Sequence, residues 1–198
     1  MSVTAKKKTR AVDLKAIPLP EKPGLSEEHL AHLRTSGISD ETIQLANLYT
    51  ERLGTRIAGL LHWTRWQTSL GTAIVFPFFI QGRPDPVMYR VRPDQPRSRV
   101  KRGKKKLVKY EQPKDVAVLP YFPPRARTHG WYQDAARPLY WVEGEKKGLV
   151  LDQLGYAAIA GTGVDGFHDV EHRDEHDAWR LHEAIRDGVT IAGRDHYI

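Results

Sequence analysis

LYWVEGEKKGLVLDQLGYAAIAGTG, residues 139–163, is the stretch whose reading decides the fold. Leu139 to Val142 is a run of bulky apolar residues that reads as a buried β-strand, and it ends directly on Glu143 and Gly144. Glu145, Lys146 and Lys147 open a helix through Leu149, Val150 and Leu151, and YAAIAGTG reads as a second strand. Strand, helix and strand in this order are the rhythm of a parallel sheet. Ligands of open parallel sheets bind just beyond the carboxyl ends of the strands, which is where Glu143 stands. Gly144 permits a tight turn and a close approach. Glu143 and Glu145 are therefore candidate ligands for Mg²⁺, Glu143 can exchange a proton with a phosphate oxygen, and Lys146 and Lys147 can face phosphate charge. The plainer alternative is that Glu143 only complements the positive end of the following helix.

Working outward, an acidic helix is expected around HRDEHDAWRLHEAIRDG, followed by a closing VTIAGRDHYI, which extends the α/β alternation over about residues 136–198. Upstream, residues 51–135 carry short β-like runs. TAIVFPFFI and VMYRVRPD read as two strands joined by a loop, with Arg90 and Arg92 on one face of the second. QPRSRVKRGKKKLVKYEQP reads as a dense basic loop. Its Arg97, Arg99, Lys101, Arg102, Lys104, Lys105, Lys106 and Lys109 either cross a phosphate backbone, releasing counterions, or simply keep the protein solvated. Residues 25–50 read as a helical hairpin capped by Ser26 and Ser39 and broken at Gly37, of helix-turn-helix size. Residues 1–24, rich in Lys and Pro, read as a mobile basic arm.

Composition sets the bounds. The chain has 198 residues, a net charge of +7, 40% hydrophobic residues and no cysteine. Disulfides, thiolate metal sites and thiol nucleophiles are thereby excluded, and a reducing, cytoplasmic setting is expected. The apolar run Ala73–Ile80, broken by Pro77, falls far short of the roughly 20 residues a membrane helix needs, so no membrane partner is expected. Between Arg83 and Arg127 stand eight Arg and six Lys against four acids, whereas from Asp165 to Ile198 nine acids face four Arg. This polarisation points to a polyanion, single-stranded or duplex DNA, as partner of the middle segment.

VEGEKKGLVLDQLG resembles the first motif of Toprim domains, the topoisomerase–primase catalytic module: an apolar strand ending in Glu-Gly, a charged helix start, an apolar helix and a Gly. With LSEEHLAHLRTSGISDETI, IVFPFFIQGRPDPVMYRVRPD, KYEQP and AIAGTGV, the chain is similar over about residues 25–198 to the Toprim-related domain of unknown function 3854. That domain occurs in replication, primase and helicase proteins of phages and other mobile elements. The resemblance implies a Toprim-like parallel sheet, Mg²⁺ as cofactor, Glu143 as general acid or base in strand joining and nucleotide polymerisation, and a helicase or polymerase as neighbour. The family's second motif, an Asp-x-Asp that ends a later strand and holds Mg²⁺, has no counterpart. GRDHYI, where it would be expected, runs to Ile198, Asp165 lies in a glycine-rich loop, and Asp195 precedes the final run. The resemblance then implies a piece of a longer replication protein or a degenerate stand-alone form, in either case poorly equipped for two-metal chemistry.

Three further constellations stand out. His168, His172 and His176, with Glu171, Glu175 and His182 nearby, would share one face of a helix and could ligate a transition metal; the alternative is a solvated polar helix. Gly161, Gly163 and Gly166 can cradle a phosphate through backbone N–H groups, or merely make tight turns. Trp63, Trp66, Tyr121, Phe122, Trp131 and Tyr132 can stack on single-stranded bases, or fill the core. The expected function is nucleic-acid binding or processing in mobile-element replication. The alternatives are a non-catalytic DNA-binding or docking module on a degenerate Toprim scaffold, and a nucleotide-binding regulatory domain.

Overall fold

The computed structural model describes residues 24–101, 103–114, 116–173 and 179–198. Two helices come first, α1 (Glu27–Thr35) and α2 (Asp40–Leu45). Both caps are as the sequence predicts: the Ser26 hydroxyl accepts from the His29 N–H, and that of Ser39 from the Thr42 N–H. The second helix stops at Leu45, and Asn47, with a positive φ of 53°, turns the chain out of it.

Three strands form an antiparallel sheet in the order β1 (Tyr49–Glu51), β2 (Ala73–Phe78), β3 (Met88–Pro93), with α3 (Gly54–Leu60) crossing between the first two. The period of 2 explains why AIVFPF is apolar throughout. Ile74, Phe76 and Phe78 point into a core shared with Leu33, Ile43, Leu149 and Ala160, whereas Ala73 and Val75 face a second core with Ile57, Leu61 and Tyr89. Pro77 is tolerated in this central strand because β1 reaches only to Val75.

The expected basic loop is instead an antiparallel ribbon, β4 (Arg97–Lys101) and β5 (Lys104–Val108), with Arg99 opposite Lys106 and Val100 opposite Lys105. Lysine-rich segments have low strand propensity; here the ladder is closed by a tight connection with Gly103 at φ +74°. Arg102 lies outside the described residues, as does the basic arm before Gly24.

After the short α4 (Pro124–Thr128) comes the predicted unit β6 (Leu139–Glu143), α5 (Glu145–Gln153), β7 (Ala157–Gly161). The two strands are parallel, and β10 (His196–Tyr197) adds to β6, also in parallel, giving the order β10-β6-β7. The α/β class is therefore observed, with the helix α5 clamped between sheet and core. Gly148 allows this: a Cβ there would meet Ala160 Cβ at 3.0 Å and Pro123 Cγ at 3.3 Å. One core holds residues of α1, α2, β2, α5 and β7 together.

The acidic helix expected around HRDEHDAWRLHEAIRDG is met only at its end, in a short α6 (Glu183–Gly188) capped by His182. Before it, His172 and Arg173 end a strand, β8 (His168–Arg173), that pairs antiparallel with β9 (Trp179–Leu181). Residues 174–178, with His176 and Glu175, lie outside the described residues. His168 and His172 sit on a strand, and no metal-holding group of three or more His, Cys, Asp or Glu occurs among the described residues. None of the described helices is long and apolar enough to cross a membrane.

Candidate nucleic-acid and phosphate site

A cleft of about 570 Å³ opens where the two sheets meet. Its walls come from five places that are far apart in sequence: His32 of α1, Arg90 and Arg92 of β3, Lys109 and Tyr110 after β5, Glu143 to Lys147 at the end of β6 and start of α5, and Thr162 beyond β7. Seven sequence-predicted charged residues thus converge there, Arg90, Arg92, Lys109, Glu143, Glu145, Lys146 and Lys147, of which Arg90 and Glu145 form an ion pair.

Each is placed by the local fold. Glu143 is the last residue of β6, opposite Gly161 of β7, and its carboxylate is exposed with no partner among the described residues. Gly144 turns the chain with φ +88° and ψ 142°, a conformation that only glycine adopts readily, while its N–H donates to the Gly161 carbonyl at 2.8 Å. The alternation of β3 sends Arg90 and Arg92 to the same side, as expected, but their fates differ. Arg90 is buried and its Nη1 donates to Glu145, itself 2% exposed, while the guanidinium lies 5.1 Å from the Tyr110 ring centre. Glu145 is therefore held by a cation of the chain itself. Arg92 is half-buried and has no acidic partner among the described residues.

Lys146 Nζ donates to Ser36 Oγ at 2.8 Å and to His32 Nε2 at 3.2 Å. An ammonium group can only donate, so Nε2 offers a lone pair and the imidazole is neutral. Burial, with Arg92 and Lys146 adding repulsion, holds His32 down at about 4. The same forces, burial first and then Arg92 and Lys109, lower Lys146. Burial pushes Tyr110 up to about 12, and Glu145 adds to it. Arg92, Lys109, Lys146 and Lys147 thus form a cationic group with one free acid, Glu143, at its edge. A multivalent anion would relieve this repulsion; nothing the chain itself supplies among the described residues does so.

Mg²⁺ takes oxygen ligands in near-octahedral geometry. Glu143 is the one free carboxylate lining the cleft among the described residues, since Glu145 is committed to Arg90, and the surrounding cations oppose a second positive ion. The described residues do not by themselves fit a Mg²⁺ cage.

The remaining candidates separate. Arg99, Lys104, Lys105 and Lys106 are exposed on the ribbon rather than in the cleft, and Lys101 ends β4. Arg97, at the ribbon's base, is paired with Glu111 through Nη2 at 2.9 Å and lies 5.6 Å from the Trp63 ring. The glycines at and after the end of β7 have a packing reason: a Cβ on Gly161 would meet Gly163 O and the Phe167 ring at 2.8 Å, and one on Gly166 would meet the Gly161 backbone at 3.1 Å. Trp66, Tyr121, Phe122 and Tyr132 are buried in the core, so they are not stacking surfaces. Trp63 packs against Trp66, and Trp131 stacks with His129 and carries the Arg137 guanidinium over its ring.

One arrangement has no sequence signal. His29 bridges Thr50 Oγ1 (Nδ1, 2.7 Å) and Asp94 Oδ1 (Nε2, 2.6 Å), and Asp94 Oδ2 accepts from the N–H and hydroxyl of Thr72, each at 2.8 Å. This chain pins α1, and with it His32, to the edge of the sheet.

No protein-family model matches the chain, and no curated protein matches it. A solved structure described as "Structure of the DnaG primase catalytic domain bound to ssDNA" is similar to it with a TM-score of 0.43 and 17% identity, over 73% of this chain and 50% of that one. The chain thus spans half the length of that structure, and at this score the likeness carries no argument.

Proposed function

We propose that the cleft binds the phosphates of a nucleic acid or nucleotide and that the protein is a Toprim-like nucleic-acid-binding or -processing component of mobile-element DNA replication. The observation that carries this reading is the uncompensated group Arg92, Lys109, Lys146 and Lys147 beside the free carboxylate of Glu143 at the end of a parallel strand. Phosphate oxygens neutralise the cations, and Glu143 is then the carboxylate beside them that could exchange a proton with the substrate. The resemblance of VEGEKKGLVLDQLG to the first Toprim motif, and of the wider run to the domain of unknown function 3854, supports the same reading. Neighbouring helicase or polymerase subunits belong to this proposal, as does Mg²⁺.

The test is binding of a labelled single-stranded DNA across a salt series, with and without Mg²⁺. Each lost phosphate contact reduces the log–log salt slope by about 0.7 for a single strand. Arg92→Ala and Lys146→Ala should each lower the slope by about that amount and weaken affinity. Glu143→Gln should leave affinity unchanged or raise it, and abolish any Mg²⁺-dependent nucleotidyl transfer. If binding survives Glu143→Gln and no Mg²⁺-dependent reaction exists with the unaltered chain, the non-catalytic module is the better reading. Unchanged salt slopes for both cation variants would sink the cleft as the phosphate site.

A further inference from the structure

The ribbon β4–β5 does more than add positive charge. Every described side chain of its two strands from Ser98 to Leu107 is exposed, so beyond Arg97 both faces stand clear of the body. The arm is nevertheless rigidly rooted. On one leg Arg97 is clamped by Glu111, and on the other Glu111 exchanges both backbone hydrogen bonds with Val91 of β3, at 2.8 and 2.9 Å. A flexible, merely solubilising loop needs no such root.

The register divides the arm into two unlike faces. Arg99 lies directly opposite Lys106, with Lys104 further along the same face of β5. Like charges directly opposed across a ladder are destabilising, and none of these three has an acidic partner among the described residues. The other face carries Ser98, Lys105 and two aliphatic side chains, Val100 and Leu107, which are 71% and 55% exposed. An isolated arm gains nothing from either arrangement.

We propose that β4–β5 is an arm that enters the groove of a double helix adjoining the cleft, and so gives the protein a preference for a junction between single-stranded and duplex nucleic acid. The major groove, about 12 Å wide, admits a two-stranded β-ribbon. The cations stand in two rows about 5 Å apart at the backbone, and long side chains splaying from both rows reach the phosphate ridges on either side of the groove. The opposite face then meets base edges, where Val100 and Leu107 contact methyl groups and Ser98 and Lys105 supply hydrogen bonds. A lone single strand would use one row of charge and leave the aliphatic pair in water. Lys109 and Tyr110 follow directly on β5 and line the cleft, so the arm rises from the cleft's rim. The arm's contact with a duplex is independent of the cleft, whereas the junction preference rests on the proposed binding of the single strand there.

The experiment compares the whole chain with three variants: Arg99→Ala/Lys104→Ala/Lys106→Ala, Val100→Ser/Leu107→Ser, and Arg92→Ala/Lys146→Ala. Fluorescence anisotropy is read on a DNA single strand, a blunt duplex, and a duplex with a single-stranded overhang. The unaltered chain should bind the overhang duplex on the order of tenfold tighter than the single strand. The triple arm variant should lose that preference while keeping its single-strand affinity, and the aliphatic variant should lose part of it with the salt slope unchanged. Equal weakening of single strand and duplex by the triple variant would overturn the proposal, leaving the arm a general counterion patch. Absence of duplex binding by the unaltered chain would also overturn it. The cleft variant reports separately: if it leaves single-strand binding intact the cleft reading fails, whatever the arm does. Circular dichroism checks folding, which substitution of exposed residues should not disturb.

Discussion

Replacing Glu145 by Gln should unfold the protein at a markedly lower temperature and leave Arg90 as an additional unneutralised cation in the cleft wall. The carboxylate is 2% exposed and receives Nη1 of Arg90, a guanidinium that is itself buried and whose Nε already has no hydrogen-bond partner. Removing one member of a buried pair leaves the other charge uncompensated, at a cost of about 3 kcal/mol or more. For a domain of this size each kcal/mol lowers Tm by about 2–4 °C, so a fall of about 6–12 °C is expected by calorimetry or circular dichroism. The double substitution Arg90→Met/Glu145→Met should be closer to the unaltered protein than Glu145→Gln, because no charge is stranded. A shift below about 2 °C, joined to a loss of Mg²⁺ or phosphate affinity, would refute the reasoning. Glu145 would then be a free ligand, as the sequence alone suggested, and not Arg90's counter-ion.

Three more outcomes follow from single positions. Gly144→Ala, at φ +88°, should cost about 1–3 kcal/mol and weaken DNA binding beyond that of a surface control, because the turn aims Glu143 and starts α5. Gly148→Ala gains helix propensity of about 1 kcal/mol but crowds Ala160 and Pro123, a conflict that typically costs about 1–3 kcal/mol; a net loss in urea midpoint is expected, and an increase would mean that the helix can lift off the sheet. His32 is held at about 4 in the folded protein against 6.5 when free, so the unfolded chain binds the extra proton first. Stability should therefore fall as pH drops from 6.5 towards 4, and His32→Asn should flatten that part of the urea-midpoint profile.

The parts that were legible in the sequence are those in which one strand or helix declares itself by period. AIVFPF is a short continuous apolar run, MYRVRP alternates, and LYWVE, EKKGLVLDQ and AAIAG are distinct in texture, so β2, β3, β6, α5 and β7 are each readable from a few neighbouring residues. The ribbon β4–β5 was not, because lysine and arginine carry little strand preference and its ladder depends on a root formed by Arg97 and Glu111, 14 residues apart. The end of β8 and β9 read as helix in the sequence for the converse reason: a polar, charged segment fits a solvated helix as well as a strand. The link from His29 to Thr50 and Asp94 spans 21 and 65 residues and leaves no local pattern at all.

Charge is where the difference has most consequence. The count of basic residues between Arg83 and Arg127 suggests a uniform cationic surface, but the fold removes some of that charge from play. Arg90 is neutralised by Glu145, 55 residues away, and Arg97 by Glu111, so neither is available to a phosphate without breaking a pair. What remains is divided into two groups with different neighbours: Arg92 and Lys109 beside Lys146 and Lys147 around a free carboxylate, and Arg99, Lys104 and Lys106 on a protruding arm backed by exposed aliphatic side chains. A polyanion that reaches both must be continuous across the rim at Lys109. The salt slope of binding therefore reports how many of these cations are engaged at once, and a slope that loses its cleft and arm components independently is the signature of two contacts rather than one diffuse patch.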